Sequence, residues 1–387
     1  MNIESLTPRQ RRLSLVAVNI CVLGVGTGIG GLIPLMALNL AHRGTDSAVI
    51  GLNAAMYPVA VLAVGPFIPR LIGRLGTTAS LYLGLGVTAL SIVLLPLLTS
   101  LPAWFALRLL MGAASSIQWV VTETWLNMIA TERDRGRIMG IYAAVIAGGI
   151  AVGPLIVGAL GIEGWPPFLA IMLAIALSAL PLPFARGLIP PMPAQAHEPI
   201  LALIRAQPLI VVCGVIGGVT DFALFALLPI YALQQGLGQS AGVLLLSLFV
   251  GGNVVLQFPV GWFADRTSRR TALILCDALL LAGAVAMPLA IGTPLAYGLV
   301  FIWGGASFAL YTLGLGLLGD GFPRAQLAAA NMALIMAYEV GGAGGPALGG
   351  AAMELMGPQG LVLVIAVSAV ALLPLLLWIR PRGASSA

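Results

Sequence analysis

Four carboxylates stand inside long apolar runs of this sequence, Asp221, Glu339, Glu123 and Asp277, and the first three could do chemistry. Desolvation penalises the charged form of such a group, and a nearby arginine favours it. A carboxyl balanced between those effects can load and release a proton as its access changes. Proton coupling is therefore the chemistry these residues offer. Asp221 ranks first, being central in its run beside Gly217 and Gly218, with Glu339 second and Glu123 third. The alternative for Asp221 is a fixed partner of a buried polar group, since structural pairs are buried in the same way. Asp277 lies about two helical turns from the end of its run and reads as structural.

Arg108 is also within an apolar run, where a charge is a functional hypothesis by default. Helical spacing places Arg108, Gly112, Ser115, Trp119, Thr122 and Glu123 along one broad face, a polar stripe suited to lining a cavity. A structural arginine clamped by carbonyls or a carboxylate is the other reading. Further cavity candidates come as i,i+4 pairs: Asn53 with Tyr57, Asn253 with Gln257, and Ser307 with Tyr311. Taken singly, each could instead make an interhelical hydrogen bond.

The elements that must position these residues follow from composition. The chain has 387 residues, 60% hydrophobic and 8% charged, with a mean hydropathy of +1.06. Apolar stretches of roughly 20 residues recur, each long enough to cross a bilayer, and backbone groups in lipid must be satisfied within the segment. The expectation is an all-α membrane protein with transmembrane helices at 14–40, 47–69, 77–98, 102–129, 137–160, 165–185, 208–233, 240–263, 271–292, 294–319, 325–354 and 359–379. That makes twelve transmembrane helices in two six-helix halves, with the first helix retained and not cleaved as a signal peptide.

The isoelectric point of about 9.5 does not imply nucleic acid. There is no lysine, and every arginine except Arg43 and Arg108 falls at the termini or in alternate loops. That is the positive-inside pattern, with both termini cytoplasmic. Without lysine there is no Walker A loop and no Schiff base. Cys21, Cys213 and Cys276 all sit in apolar runs as small apolar residues, and neither His42 nor His197 is mid-span. No metal site, cofactor or catalytic cluster is expected.

The halves read as a duplication. Pro34 in Leu-Ile-Pro-Leu corresponds to Pro229 in Leu-Leu-Pro-Ile, an offset of 195; Gly65 to Gly261, an offset of 196; and Gly153-Pro154 to Gly345-Pro346, an offset of 192. The expected organisation is an N-terminal half over 1–185, a cytoplasmic linker over 186–207 rich in proline, and a C-terminal half over 208–387. Transporters of duplicated architecture place the substrate between the halves.

The segment Gly261-Trp262-Phe263-Ala264-Asp265-Arg266-Thr267-Ser268-Arg269-Arg270 resembles the Gly-x-x-x-Asp-Arg-x-x-Arg-Arg loop of the major facilitator superfamily. The first-half copy, Gly65 to Arg70 followed by Gly73-Arg74, carries Pro69 where the aspartate would stand. Arg108 and Gly112 fit the family's Arg-x-x-x-Gly. Gly140, Gly149, Gly153-Pro154 and Gly158 fit the glycine pattern the family associates with antiporters, and Gly341, Gly345, Pro346, Gly349 and Gly350 repeat it. Tight helix packing without bearing on direction is the alternative for these glycines. Thr122-Glu123-Thr124-Trp125-Leu126-Asn127 with Arg135-Gly136-Arg137 resembles a YcaD-like bacterial subgroup.

The resemblance implies an inner-membrane secondary transporter and not an enzyme, a monomer working by alternating access. Its partners would be a small organic solute, protons and the lipid bilayer, with no nucleic acid. Export is the expected direction; a proton-coupled importer of a sugar or other metabolite, and a non-transporting receptor or assembly factor, are the alternatives. Few charges line the inferred cavity, which fits a neutral or cationic amphipathic solute, although Arg108 leaves organic anions open. The resemblance also implies a cytoplasmic gate: Asp265, Arg266, Arg269 and Arg270 near Glu132, Asp134, Arg135 and Arg137, and Arg70 and Arg74 near Asp320.

Overall fold

A computed structural model describes residues 7–131, 134–185, 187–188, 208–321 and 327–378. The helices are α1 (Pro8–His42), α2 (Ser47–Val64), α3 (Ile68–Leu75), α4 (Thr77–Leu97), α5 (Leu101–Ile129), α6 (Arg135–Leu160), α7 (Pro166–Ser178), α8 (Pro208–Gln234), α9 (Gln239–Arg266), α10 (Arg269–Ala290), α11 (Pro294–Gly321), α12 (Leu327–Met356) and α13 (Gln359–Trp378). With α3 continuing α2, these are the twelve rods that the apolar runs predict, and no strand occurs among the described residues. Ten stretches of described helix are long and apolar enough to cross a membrane. The outer faces agree: Leu289, Leu355 and Phe258 are 86%, 85% and 82% exposed. Large apolar side chains so bared suit lipid and not water.

The second apolar run does not end in a loop at residue 69. Pro66 and Pro69 lack the N–H that would continue the α2 ladder. The chain tightens into a 3-10 turn over Gly65–Phe67 and resumes as α3. This short helix buries Ile68 and Ile72 and leaves Arg70 and Arg74 exposed. Gly76, at φ +82, makes the turn into α4 in a conformation that side chains disfavour.

The chain divides into two compact units. The first comprises Met1–Met36 and Val59–Ala196; the second comprises Ala37–Pro58 and His197–Ala387. In the first unit α1 is braced against its neighbours. The Trp125 indole donates to Ser14 Oγ at 2.9 Å, and Ser14 Oγ donates to the Leu188 carbonyl at 3.1 Å. Arg11 reaches from the start of α1 to the Ile129 carbonyl and to Asp134. Gly149 and Gly153 of α6 meet the backbone of α1 at Gly26 and at Gly30 and Gly31, where a Cβ on either would collide.

In the second unit α12 packs along α8, and α9 along α11. At three glycines the α8–α12 seam brings backbone against backbone. A Cβ at Gly218 would run into the Tyr338 carbonyl, at Gly341 into that of Val215, and at Gly345 into that of Val219. Small residues at this spacing let two backbones approach closely.

Candidate functional site

The close approach at Gly218 brings the side chains next to it together. Asp221, one turn along α8, is 5% exposed. Its Oδ1 accepts a hydrogen bond from Ser307 Oγ of α11 at 2.5 Å, and its Oδ2 accepts one from the Tyr338 hydroxyl of α12 at 2.8 Å. Ser307 Oγ also lies 2.7 Å from Thr220 Oγ1. Among the described residues, both hydrogen-bond partners of Asp221 are hydroxyls, from two different helices. Hydroxyls serve both protonation states of a carboxyl, since each carries a donor and two acceptor lone pairs and rotates to suit.

Four aromatic rings of the same unit run on from this point. Phe222 meets Tyr338 edge-on at 5.5 Å between centroids, Tyr338 meets Tyr311 at 4.9 Å, and Tyr311 meets Phe308 at 5.8 Å. All four are half-buried. Glu339 follows Tyr338 on α12, and its Oε2 is buried without a hydrogen-bond partner among the described residues. The Phe222 ring covers Gly342, one turn above Glu339.

The first unit gathers Glu123, Trp119 and Tyr142. The Trp119 indole donates to Glu123 Oε2 at 3.1 Å, and its ring stands edge-on to Tyr142 at 6.5 Å. Arg108 is 1% exposed and donates to the Met36 sulfur at 3.1 Å. Thr122 turns back onto the Gln118 carbonyl, and Ser115 is buried.

The other predicted cavity residues separate. Ser307 is fully buried as a partner of Asp221, whereas Tyr311 shows part of its ring. Asn253 is half-buried, and Gln257 Oε1 accepts from Thr312 Oγ1 at 2.9 Å. Asn53 is 2% exposed, and Tyr57 is half-buried.

The motif after Gly261 is mostly helix, because α9 continues to Arg266. Arg266 lies over the Trp262 ring at 4.1 Å, and Asp265 is exposed. Ser268 caps α10 by accepting from the Thr271 N–H. Arg269 donates to the Gly316 carbonyl, and Arg270 to the carbonyls of Leu376 and Leu377. These arginines close carbonyls of α11 and α13 within their own unit, the favourable place for cations. Gly65 and Gly261 are not required by packing: a Cβ at either meets no described atom within 4 Å. Gly158 is exposed, while Pro154 and Pro346 are buried within their helices. The side chains of Asp320 and Arg135, and Glu132 and the linker residues 186 and 189–207 with His197, lie outside the described residues.

The family model described as Major Facilitator Superfamily matches residues 18–344 and 244–387. The chain belongs to the Major Facilitator Superfamily. This major facilitator protein is 30% identical over 348 residues to an uncharacterized MFS-type transporter, YcaD, of Escherichia fergusonii, covering 89% of this chain and 90% of the relative. It is 29% identical over 354 residues to an uncharacterized MFS-type transporter of Enterobacter sp. (strain 638), covering 90% and 91%. Among solved structures, a mutant of the nucleoside transporter NupG superposes with a TM-score of 0.76 at 16% identity, covering 94% of this chain and 99% of that one. A bacterial homologue of the lysosomal transporter Spinster, inward-facing and unoccupied, gives 0.70 at 13% identity, covering 96% of each chain. These two likenesses are of fold. The superfamily makes the protein a multi-pass membrane protein of a transporter family, acting on a small molecule from within a lipid bilayer.

Sequence reasoning missed Tyr338, Thr220 and Phe222 in this major facilitator protein. Tyr338 stands 117 residues from Asp221, and no periodicity links them. The available signal was the Gly217-Gly218 pair beside Asp221, which marks where another backbone comes close.

Proposed function

We propose that this chain is a proton-coupled secondary transporter that exports a small organic solute, with Asp221 carrying the proton. The observation that supports it is the all-hydroxyl setting of Asp221: Ser307 at 2.5 Å and Tyr338 at 2.8 Å, from two helices, in the middle of α8. A fixed ion pair would hold a carboxylate in one charge state. Hydroxyl partners let the proton arrive and leave without abandoning the pocket. Glu339 is the second candidate and Glu123, tied to Trp119, the third, and Arg108 with Ser115, Trp119, Asn53, Tyr57, Asn253 and Gln257 are proposed to face the solute during the cycle.

Export rests on the antiporter-like glycines Gly149, Gly153 and Gly158. The Asp265 side of the cytoplasmic gate is proposed to dominate, because Pro69 replaces the matching aspartate. The protein is proposed to work as a monomer in the bacterial inner membrane with both termini cytoplasmic.

The test begins with a thermal-stabilisation screen of purified protein to find a solute. Proteoliposomes are then loaded at acid or alkaline internal pH. An antiporter accumulates the solute against an acid interior; accumulation only against an alkaline interior would show symport and make the protein an importer.

A further inference from the structure

Residues 65–76, the 3-10 turn and α3, contain Arg70 and Arg74 and no acidic residue. The 18 residues of α2 rise about 27 Å, close to the roughly 30 Å of a bilayer's hydrocarbon layer. α3 therefore begins where the acyl chains end and the headgroups start. Helical spacing divides its surface into three stripes. Ile68 and Ile72 are buried against the protein. Phe67, Leu71 and Leu75 form an apolar ridge, with Phe67 and Leu75 59% and 47% exposed. Arg70 and Arg74, one turn apart and both exposed, stand opposite the buried pair. Arg70 lies over the Phe67 ring at 6.0 Å. An exposed apolar ridge beside a row of arginines suits a helix lying in the surface of an anionic bilayer. The second-half copy of this loop differs in charge. There the exposed Asp265 stands beside Arg266, and Arg269 and Arg270 donate to carbonyls of Gly316, Leu376 and Leu377. A carboxylate at that position repels a phosphate. Pro69 removes it from the first-half copy, and no ion pair with Arg70 or Arg74 is recorded among the described residues.

We propose that α3, through Arg70 and Arg74, binds the phosphodiester headgroup of an anionic phospholipid, with Phe67, Leu71 and Leu75 against its acyl chains. A guanidinium presents paired N–H donors that match phosphate oxygens, and two of them one turn apart meet one headgroup from both sides. Gly73 stands beside the pair, and a Cβ there meets no described atom within 4 Å, so the headgroup reaches the helix backbone. The arginine pattern puts this lipid in the cytoplasmic leaflet. A zwitterionic lipid brings its own cation to the arginines and is held less well, so the site selects for net negative charge.

Photo-crosslinking of the full-length protein in lipid nanodiscs tests this, using phosphatidylglycerol or phosphatidylcholine with a photoreactive group near the headgroup. Crosslinks are mapped to the 65–76 segment by mass spectrometry. Phosphatidylglycerol should label this segment at least about fivefold more than phosphatidylcholine, and the preference should shrink as salt is raised. Replacing both arginines, Arg70→Gln with Arg74→Gln, should abolish the preference. Pro69→Asp, which gives this loop the charge pattern of its second-half copy, should cut it severalfold. Equal labelling by the two lipids, or an unchanged preference in the double arginine variant, would overturn the assignment. Labelling by neither lipid would also overturn it and would mean that protein covers α3. Should the variants fail to fold, the comparison of the two lipids at low and high salt on the unaltered protein decides alone.

Discussion

The carboxylate of Glu354 accepts a hydrogen bond from the backbone N–H of Ser47 at 3.1 Å, within the second unit. Ser47 opens α2, and its N–H is among those that a helix leaves without an internal partner. Ser47 is 3% exposed, so water does not serve it freely. Gln234 adds a bond to its hydroxyl at 2.8 Å. Glu354→Ala should destabilise the protein by about 1 kcal/mol, and Glu354→Gln by less, since the amide oxygen still accepts. Thermal unfolding of the purified variants checks this; an alanine variant as stable as the parent would show that the cap carries no weight.

The seam between α8 and α12 gives a sharper contrast. A Cβ at Gly218 collides with a backbone carbonyl, which cannot rotate away, whereas Gly344 has open space. Gly218→Ala should cost about 1–3 kcal/mol through overpacking and loosen the Tyr338–Asp221 bond. Gly344→Ala should stay within about 0.5 kcal/mol of the parent. Comparable losses in both would mean that the helices do not approach as described.

Asp134 sets a pH dependence outside the spans. Its carboxyl is held at about 2, below the ordinary 3.8, by the hydrogen bond from the Thr131 hydroxyl and then that from Arg11. A depressed folded value means stabilisation that is complete above 3.8 and lost as pH falls through about 2. The difference in thermal midpoint between the parent and Asp134→Asn should be flat above about pH 5 and close over that lower window. A difference that grows on acidification would have the wrong sign.

The arginine pattern predicts that reporters fused to the N- and C-termini both read out cytoplasmic. One periplasmic terminus would mean an odd number of crossings.

Much of this fold is written locally. Each rod follows from an apolar run long enough to span a bilayer, and Pro66 and Pro69 mark where α2 gives way to α3. Asp221 stood out because a charge in such a run needs a reason. What surrounds it did not. Ser307 and Tyr311 share a face on the i,i+4 rule, yet Ser307 turns inward to Asp221 while Tyr311 keeps part of its ring open. That difference is decided by which helix lies opposite, and spacing within one helix carries no such information. Arg269 and Arg270 were legible as cations in a motif, but their use of Gly316, Leu376 and Leu377 carbonyls depends on helix ends remote in sequence.

The central claim is that Asp221 carries the coupling proton, and Asp221→Asn tests it most directly. The amide keeps the shape and the hydrogen bonds to Ser307 and Tyr338 but cannot take up or release a proton. In proteoliposomes, with the solute found by the stabilisation screen, the variant should lose pH-gradient-driven accumulation by at least about tenfold. Solute-for-solute counterflow, which needs no net proton movement, should persist at a rate close to that of the unaltered protein. Accumulation against a gradient at the unaltered rate would contradict the account, and loss of binding and counterflow together would make Asp221 a structural partner instead.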